Sequence, residues 1–573
     1  KSASCPSPLS IPPNNRLFVA MNTRNKNSSA LNLTRLVMMV LVALTASSTL
    51  VQCAKRGRPS GGVKDSIPPV LVRALPQNMT TEFEGEGFNL EFDEFVQVKN
   101  LQQQVVVSPP LNYPIEVYPT LRASKKFQVR FKDTLAPNTT YSVNFGNALV
   151  DFNEGNPYPY LTYIFSTGAA IDSLSLEGTL KDAQLPKPDN FVSVMLYKRD
   201  STFTDSTVYQ KPPRYITNTL DSLKTFALKY LEAGTYELIG LKDANKNNRF
   251  DPLVDKIGFF NRPVQIPADS ASAPVLTLFQ EIPDARVLST KLESPNRILV
   301  AYQGAREELT LRRITALPDS VPMRVLPVQG KDSLEIWHGA FEADSLAFVA
   351  SNTRTGWADT LVVKMRKLKA DTLVLAPVNR KNVLPTSPWR LQANVPITKT
   401  NPAKILVLDK DTLALPVRTD IDTLGNQLIL NFPITTDQNY RVQLYPGALT
   451  DLLGHTNDTV QYKFSVNPPE DFGTLKVIPK TLRGGPATPV LVQLLNNDFE
   501  VERQQSGPAG IPYTFAFLEP KKYWIRIVED TNQNEAWDTG AYLMRRQPEP
   551  VHYFSEQVNV RPNWEIEQVV DYE

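Results

Sequence analysis

From about residue 66 onward, apolar and polar side chains alternate in short runs. Leu90 and Phe92, Val105 and Val107, then Phe127, Val129 and Phe131, then Tyr141, Val143 and Phe145 each stand two apart, with Pro, Gly and Asn between the runs. A period of two puts neighbouring side chains on opposite faces of an extended chain, so each run reads as a strand with one face toward a core. Turn residues at such short intervals predict an antiparallel β-sandwich. The grammar continues in VSVMLYK, in Tyr236, Leu238 and Gly240 alternating with Glu237, Ile239 and Leu241, and in RILVAY and DTLVVKM. The 47 prolines against 25 glycines punctuate these segments and leave little room for long helices. The expected fold class is all-β, in tandem sandwiches.

One stretch occurs twice. FALKYLEAGTYELIGLKDANKNNRFD (226–251) and FAFLEPKKYWIRIVEDTNQNEAWD (515–538) share a register in which Leu231, Glu232, Tyr236, Asp243, Asn245, Asn247, Phe250 and Asp251 correspond to Leu518, Glu519, Tyr523, Asp530, Asn532, Asn534, Trp537 and Asp538. An unbroken register over a strand and a polar loop marks an internal repeat. The repeat extends upstream. LILNFPITTDQNYRVQLYPGALTDLLG follows VRFKDTLAPNTTYSVNFGNALVDFNEG, with Tyr440 and Val442 standing for Tyr141 and Val143, and both copies run on through FS (Phe165, Phe464) and GTLK (Gly178, Gly473).

At 573 residues the chain exceeds one core, and roughly 100 to 200 residues per domain gives about three to five. Lys and Arg number 61 against 59 Asp and Glu, so no global field recruits nucleic acid. The only cysteines, Cys5 and Cys53, precede the alternating region, so the folded part must be held by apolar cores without disulfides.

Residues 1–20 carry no structural signal, and Met21 reads as the start. From there Arg24, Lys26 and Arg35 precede the apolar run Leu36 to Leu44, then small residues lead to Cys53. Nine apolar residues cannot cross about 30 Å of hydrocarbon, so 21–52 reads as a signal peptide and the mature chain as exported. Leu50, Val51, Gln52 and Cys53 resemble a bacterial lipobox, in which the Cys is acylated; an ordinary signal peptide with an incidental Cys is the alternative. Residues 53–65 are basic, Gly-containing and free of large apolar side chains except Val63, and read as a flexible tether.

FDEFVQVKN, VVVSPPL, DTLAPNTTYSVNFGNALVDFNEGN and YIFSTG resemble the SbsA-like bacterial Ig domain at the N-terminus of Bacteroidota envelope lipoproteins, and the tether resembles theirs. AGTYEL entering a strand resembles a prealbumin-like or Cna-B-like sandwich. The resemblance implies an Ig-like domain at 66–168 and a prealbumin-like sandwich at 169–283. The internal repeat adds a degenerate Ig-like domain at 369–466 and a second prealbumin-like sandwich at 467–573, and the strands between them form an additional β module at 284–368 that matches neither pattern. Short, Pro-containing junctions predict an extended rod or arc of these sandwiches.

Two patterns could carry chemistry. Asp243, Asn245, Asn247 and Asp251, with the Arg249 carbonyl, and Asp530, Asn532, Asn534 and Asp538, with the Ala536 carbonyl, have the spacing of an EF-hand-like loop for Ca²⁺. Position 6 holds Asn248 or Glu535 in place of Gly, position 12 holds Val254 or Ala541 in place of Glu, and Asp255, one residue on, could substitute in the first copy only. The alternative is a polar hairpin in which Asx side chains bond their own backbone. Second, Asp followed by Ser or Thr and an apolar residue opens at Asp65, Asp133, Asp172, Asp221, Asp319, Asp332, Asp344, Asp359, Asp371, Asp411, Asp422 and Asp458, where chance supplies about two or three. It resembles the Bacteroidota O-glycosylation sequon, with acceptors at Thr134, Ser173, Ser222, Ser333, Thr360 and Thr372; strand-entry grammar explains it equally.

Catalysis finds little support. His338, His455 and His552 fall in different segments, and Trp337 reads as a packed aromatic with His338 as its surface neighbour. The expected function is that of a non-enzymatic envelope lipoprotein, anchored to the outer membrane by lipid, that binds or scaffolds proteins. Its partners would be other envelope proteins, including an outer-membrane barrel in an assembly or export complex. An adhesin-like or structural surface protein is the alternative within that class, and carbohydrate binding the alternative outside it.

Overall fold

A computed structural model describes residues 65–220, 224–267, 273–379, 383–384, 387–482 and 489–572. Cys5, Cys53, the signal-peptide segment and Ser222 lie outside these residues. Strand accounts for 49% of the chain and helix for 3%, so the fold is all-β, as the alternation predicts.

In the first sandwich Leu71–Leu75, Gly87–Val98, Ser124–Arg130 and Glu116–Tyr118 form one sheet, and Leu149–Asp151 joins the far end of Gly87–Val98. Val106–Ser108, Thr140–Asn144 and Thr162–Ser166 form the other. The period-two residues face inward from both: Phe88, Leu90, Phe92, Phe127 and Val129 meet Tyr141, Val143, Tyr163 and Phe165 in one core. Each such side chain removed from water contributes roughly 1.5–3 kcal/mol. The same packing recurs 299 residues on. Tyr141 stacks on Phe165 with ring centroids 5.3 Å apart, and Tyr440 stacks on Phe464 at 5.2 Å. The Tyr141 hydroxyl accepts the Ala136 N–H at 2.9 Å, and the Tyr440 hydroxyl accepts the Thr435 N–H at 2.8 Å. In each copy a turn is thus tied to the core by a buried ring.

Residues 284–368 also pair two sheets. Arg286–Ser294, Arg297–Gln303, Ser333–His338 and Met323–Pro327 face Leu309–Arg313, Ser345–Asn352 and Trp357–Lys364 across Ile298, Val300, Leu334, Leu346 and Phe348. Trp337 turns away from that core and packs with Leu326, Val395 and Leu452, so it joins this module to the next. His338 beside it is not a surface residue. It is 1% exposed, because Asn296 and Gly339 close over it.

The repeated strand and loop sit in two sandwiches that share six strand pairings; the first copy adds a seventh, between Lys256–Phe259 and Val275–Gln280. In the first copy Leu174–Asp182 pairs antiparallel with Thr225–Leu231 and parallel with Val275–Gln280. In the second, Gly473–Thr481 pairs antiparallel with Tyr513–Leu518 and parallel with Glu565–Tyr572. Ser193–Lys198 lies between Tyr215–Asn218 and Gly234–Lys242, and the latter also pairs with Lys256–Phe259 and Val264–Ile266. Pro489–Leu495 lies likewise between Val501–Pro508 and Lys522–Glu529, which pairs with Val551–Tyr553 and Val558–Asn559. The Gly of each GTLK is required by close approach. A Cβ at Gly178 would sit 2.4 Å from the Phe226 ring, and one at Gly473 would sit 2.3 Å from Val560.

These sandwiches do not string out as a rod. Tyr542 of the second repeat is buried among Met195, Tyr197, Ile239, Leu241, Phe259 and Phe279 of the first. Proline-rich junctions fix local direction; they do not prevent the chain from returning on itself when an apolar face awaits it.

Tyr141→Phe and Tyr440→Phe each remove the acceptor of a backbone N–H while keeping the ring. Each is expected to lower stability by about 1 kcal/mol, read as a lower urea midpoint at unchanged slope.

Candidate functional site: the Asp and Asn loops and the seam between the repeats

The first loop follows the strand Gly234–Lys242. Asp243 Oδ2 accepts the Asn248 N–H at 2.7 Å and Asn247 Oδ1 accepts the Arg249 N–H at 2.8 Å, while Lys246 and Asn248 take left-handed backbone. Asp243 Oδ1 is buried without a hydrogen-bond partner. Asp255 is fully buried and braces the loop from beneath, its two oxygens accepting the N–H groups of Ala244 at 2.8 Å and Asp251 at 2.9 Å. Burial, with the charges of Asp243 and Asp251, holds the Asp255 carboxyl above the ordinary range despite those two donors.

The second loop repeats the wrap. Asp530 accepts the N–H groups of Asn534 at 3.1 Å and Glu535 at 3.0 Å, Asn534 Oδ1 accepts that of Ala536 at 2.9 Å, and the Asn534 amide donates to Asp538 at 2.9 Å. Its brace is Glu549. That carboxylate accepts the Thr531 N–H at 2.8 Å and the Asp538 N–H at 3.1 Å, the counterparts of the two donors that hold Asp255. A carboxylate brace for the loop backbone is therefore present in both copies. Sequence comparison misses Glu549 because it stands outside the fixed register. Among the described residues no group of three or more His, Cys, Asp or Glu side chains is placed to hold a metal ion.

Beside the second loop, the segment between Asp538 and Glu549 crosses to the first repeat. Thr539 donates its hydroxyl to the Gln280 carbonyl at 2.6 Å, and a Cβ at Gly540 would come within 2.5 Å of the Phe279 ring. The Tyr542 ring stands edge-on to Phe259 with centroids 5.4 Å apart, and its N–H donates to Glu281. Arg545 lies 4.8 Å over the Tyr542 ring and pairs with Asp205 and with Glu237. Glu237, 1% exposed, also holds Arg199 at 3.2 Å. The Gln547 amide donates to the Phe259 carbonyl at 2.9 Å and to Asn261 at 2.7 Å. A second contact lies nearby, where Arg526 and Tyr553 both donate to the Gln184 carbonyl. No sequence signal marks this seam except the double apolar phase of Gly234–Lys242, in which the outward Ile239 and Leu241 are as apolar as the inward Leu238.

Of the glycosylation acceptors, Thr134, Ser173, Thr360 and Thr372 are exposed and Ser333 is half-buried. Ser173 directly precedes a strand, Ser333 begins one and Thr360 lies within one. The histidines do not converge: His455 contacts Asp451 at 3.1 Å and His552 contacts Glu529 at 2.8 Å, while burial pushes the His338 imidazole down.

Residues 65–167 match the family described as a bacterial Ig-like domain, which covers the first sandwich. No curated protein matches the chain. Solved structures with similarity include the surface layer protein SbsC, domains 1 to 6, at 10% identity over 86% of this chain and 67% of that one, with a TM-score of 0.14. A run of domains from titin gives 13% identity over 44% and 91%, with a TM-score of 0.13. The major pilin subunit of Bacillus cereus gives 10% over 70% and 99%, with a TM-score of 0.12.

Glu281 offers a test of the seam's electrostatics. Burial, together with the charge of Asp284, holds its carboxyl above the usual value of 4.5, against the Tyr542 N–H and Arg546, which lower it. A raised carboxyl keeps its proton in the folded state while the unfolded chain loses it, so stability falls as pH rises from 4.5 through the folded value. Glu281→Gln retains an acceptor for Tyr542 and removes that loss. The variant is expected to gain on the parent in urea midpoint from pH 4 toward pH 7, and a constant difference across that window would contradict the assignment.

Proposed function

We propose that the protein is an exported, lipid-anchored envelope protein that works by holding and presenting binding surfaces rather than by catalysis. The observation that carries this reading is the order of parts: a basic and apolar leader ends at Cys53, a short polar tether follows, and a bacterial Ig-like domain begins at residue 65. An anchor followed by rigid sandwiches suits a scaffold, because sheet edges and loops are held away from the attachment point by preformed cores. The outer membrane of a Bacteroidota cell is the compartment this reading assigns, with an integral barrel of an assembly or export complex as the partner class.

Exposed apolar side chains on the first sandwich support a contact role. Phe95 and Phe152 are joined by a backbone hydrogen bond at 2.9 Å and are 55% and 56% exposed, and Val70 and Val72 on the neighbouring strand segment are 53% and 64% exposed. Apolar groups clustered in this way mark interaction surfaces more often than isolated ones do.

Cys53→Ala is expected to release the protein from the membrane fraction and to abolish fatty-acid labelling. Retention in membranes with no label in either form would sink the anchor. A gentle detergent pull-down of the tagged wild-type chain is expected to recover a barrel protein in stoichiometric amount, and recovery of the chain alone would favour a free surface protein.

A further inference from the structure

The two repeats differ at one place in a way that neither sandwich needs. Asp255 braces its loop four residues after Asp251, whereas Glu549 braces the equivalent loop eleven residues after Asp538, so the second copy carries seven extra residues between conserved anchor points. That longer segment supplies Thr539, Tyr542, Arg545 and Gln547, which cross the seam.

The face it meets differs reciprocally. In the first copy the cross-strand pair Met195 and Ile239 points away from the sandwich core, and both residues are fully buried. The matching cross-strand pair in the second copy is Gln493 and Arg526, hydrogen-bonded to each other at 2.6 Å. Glu237 likewise corresponds to Trp524 in the shared register. The outward face of the second copy keeps the buried Leu491, Leu495 and Val528, but its centre is the polar Gln493–Arg526 pair and Trp524 stands where the first copy has a carboxylate. The apolar centre with a buried carboxylate at its rim belongs to the first copy, and the segment that fills it to the second.

We infer that the outer face of the first repeat is a binding site for a short turn presenting Tyr and, three residues on, Arg, and that residues 539–547 occupy it in cis. Met195, Ile239, Phe259 and Phe279 form the floor for the ring, and Glu237 and Asp205 receive the guanidinium. Glu281 takes the N–H at the start of the turn. The turn closes on itself between Ala541 and Arg546, with N–H to carbonyl distances of 2.8 Å and 3.0 Å, and Arg545 takes left-handed backbone. Its shape is therefore set by its own backbone as well as by the sandwich that carries it.

The test replaces residues 539–548 by Pro-Leu-Val, the sequence of 252–254, which restores the spacing of the first copy and keeps Glu549 as brace. The probe is a synthetic peptide of residues 538–548. Saturable binding to the grafted full-length chain and none to the parent is expected, with roughly a tenfold or greater loss when the peptide carries Arg545→Ala, since a charge-assisted hydrogen bond is worth about 1.5–3 kcal/mol. Introducing Ile239→Arg into the graft is expected to abolish binding. Should the graft fail to fold, the full-length double variant Tyr542→Ala with Arg545→Glu vacates the site without changing the length of any segment and is titrated with the same peptide. A folded graft or double variant that ignores the peptide, or equal binding by parent and variant, overturns the inference.

Discussion

The strands Ser193–Lys198 and Gly234–Lys242 of the first repeat are buried on both faces, and the closure of the chain follows from that constraint. Their inward side chains, Val194, Leu196, Tyr236 and Leu238, fill the sandwich, and their outward ones, Met195, Tyr197, Ile239 and Leu241, would meet water if the repeat stood alone. Short local elements cover part of this outer face through Val208 and Phe250, and Tyr542 covers more. A carboxylate set into such a face is costly unless it is paired. Glu237 is held by Arg199 from its own repeat and by Arg545 from the other, so removing the second repeat's segment uncovers apolar surface and leaves a buried charge with one partner fewer.

Duplication preserved the devices that make each sandwich and changed the surfaces between them. The Tyr hydroxyl that ties a turn, the Tyr–Phe stack, the six strand pairings and the carboxylate brace under the polar loop all recur. What changed lies on outward positions and in loop length, where a substitution does not cost the core. Tyr236 and Tyr523 show the distinction clearly. Each donates its hydroxyl to the carbonyl of the matched Glu, Glu232 at 3.0 Å and Glu519 at 3.1 Å, while one residue away Glu237 receives Arg545 across the seam and Trp524 stacks on Phe499 within its own repeat.

Period-two alternation made the strands and inward residues legible, because a half-buried strand must repeat every second residue whatever it packs against. The repeat was legible because both copies keep polar loops that depend on local hydrogen bonds. Glu549 was not, since seven extra residues displace it from the register, and a brace is recognised only by which N–H groups it accepts. Nor was the closure, because Tyr542 finds its partners about 300 residues away and nothing local distinguishes TGAYLMRRQ from a surface loop. The one hint was the strand of Tyr236 to Leu241, apolar in both phases; a strand of that kind is buried on both faces, and the sequence does not say by what. His338 fails for a related reason, its burial depending on the turn at Asn296 as well as on Gly339 and Phe341 beside it.

Closure also bears on how such a chain could act from an anchor. A string of sandwiches joined only by linkers explores many arrangements, and each partner contact must then bear the entropy of ordering them. A contact between the second and last sandwiches removes much of that freedom in advance, so the modules from residue 169 to residue 572 hold a limited set of relative positions. The first sandwich touches that loop of contacts at its margin, where Val106 packs against the cluster that holds Tyr542. It meets its neighbour through the Ser108 hydroxyl, which accepts the Ile216 N–H at 3.1 Å, and it carries the exposed Phe95 and Phe152. A preordered body joined to a first sandwich that offers apolar side chains supports the reading proposed above, in which the chain presents a surface.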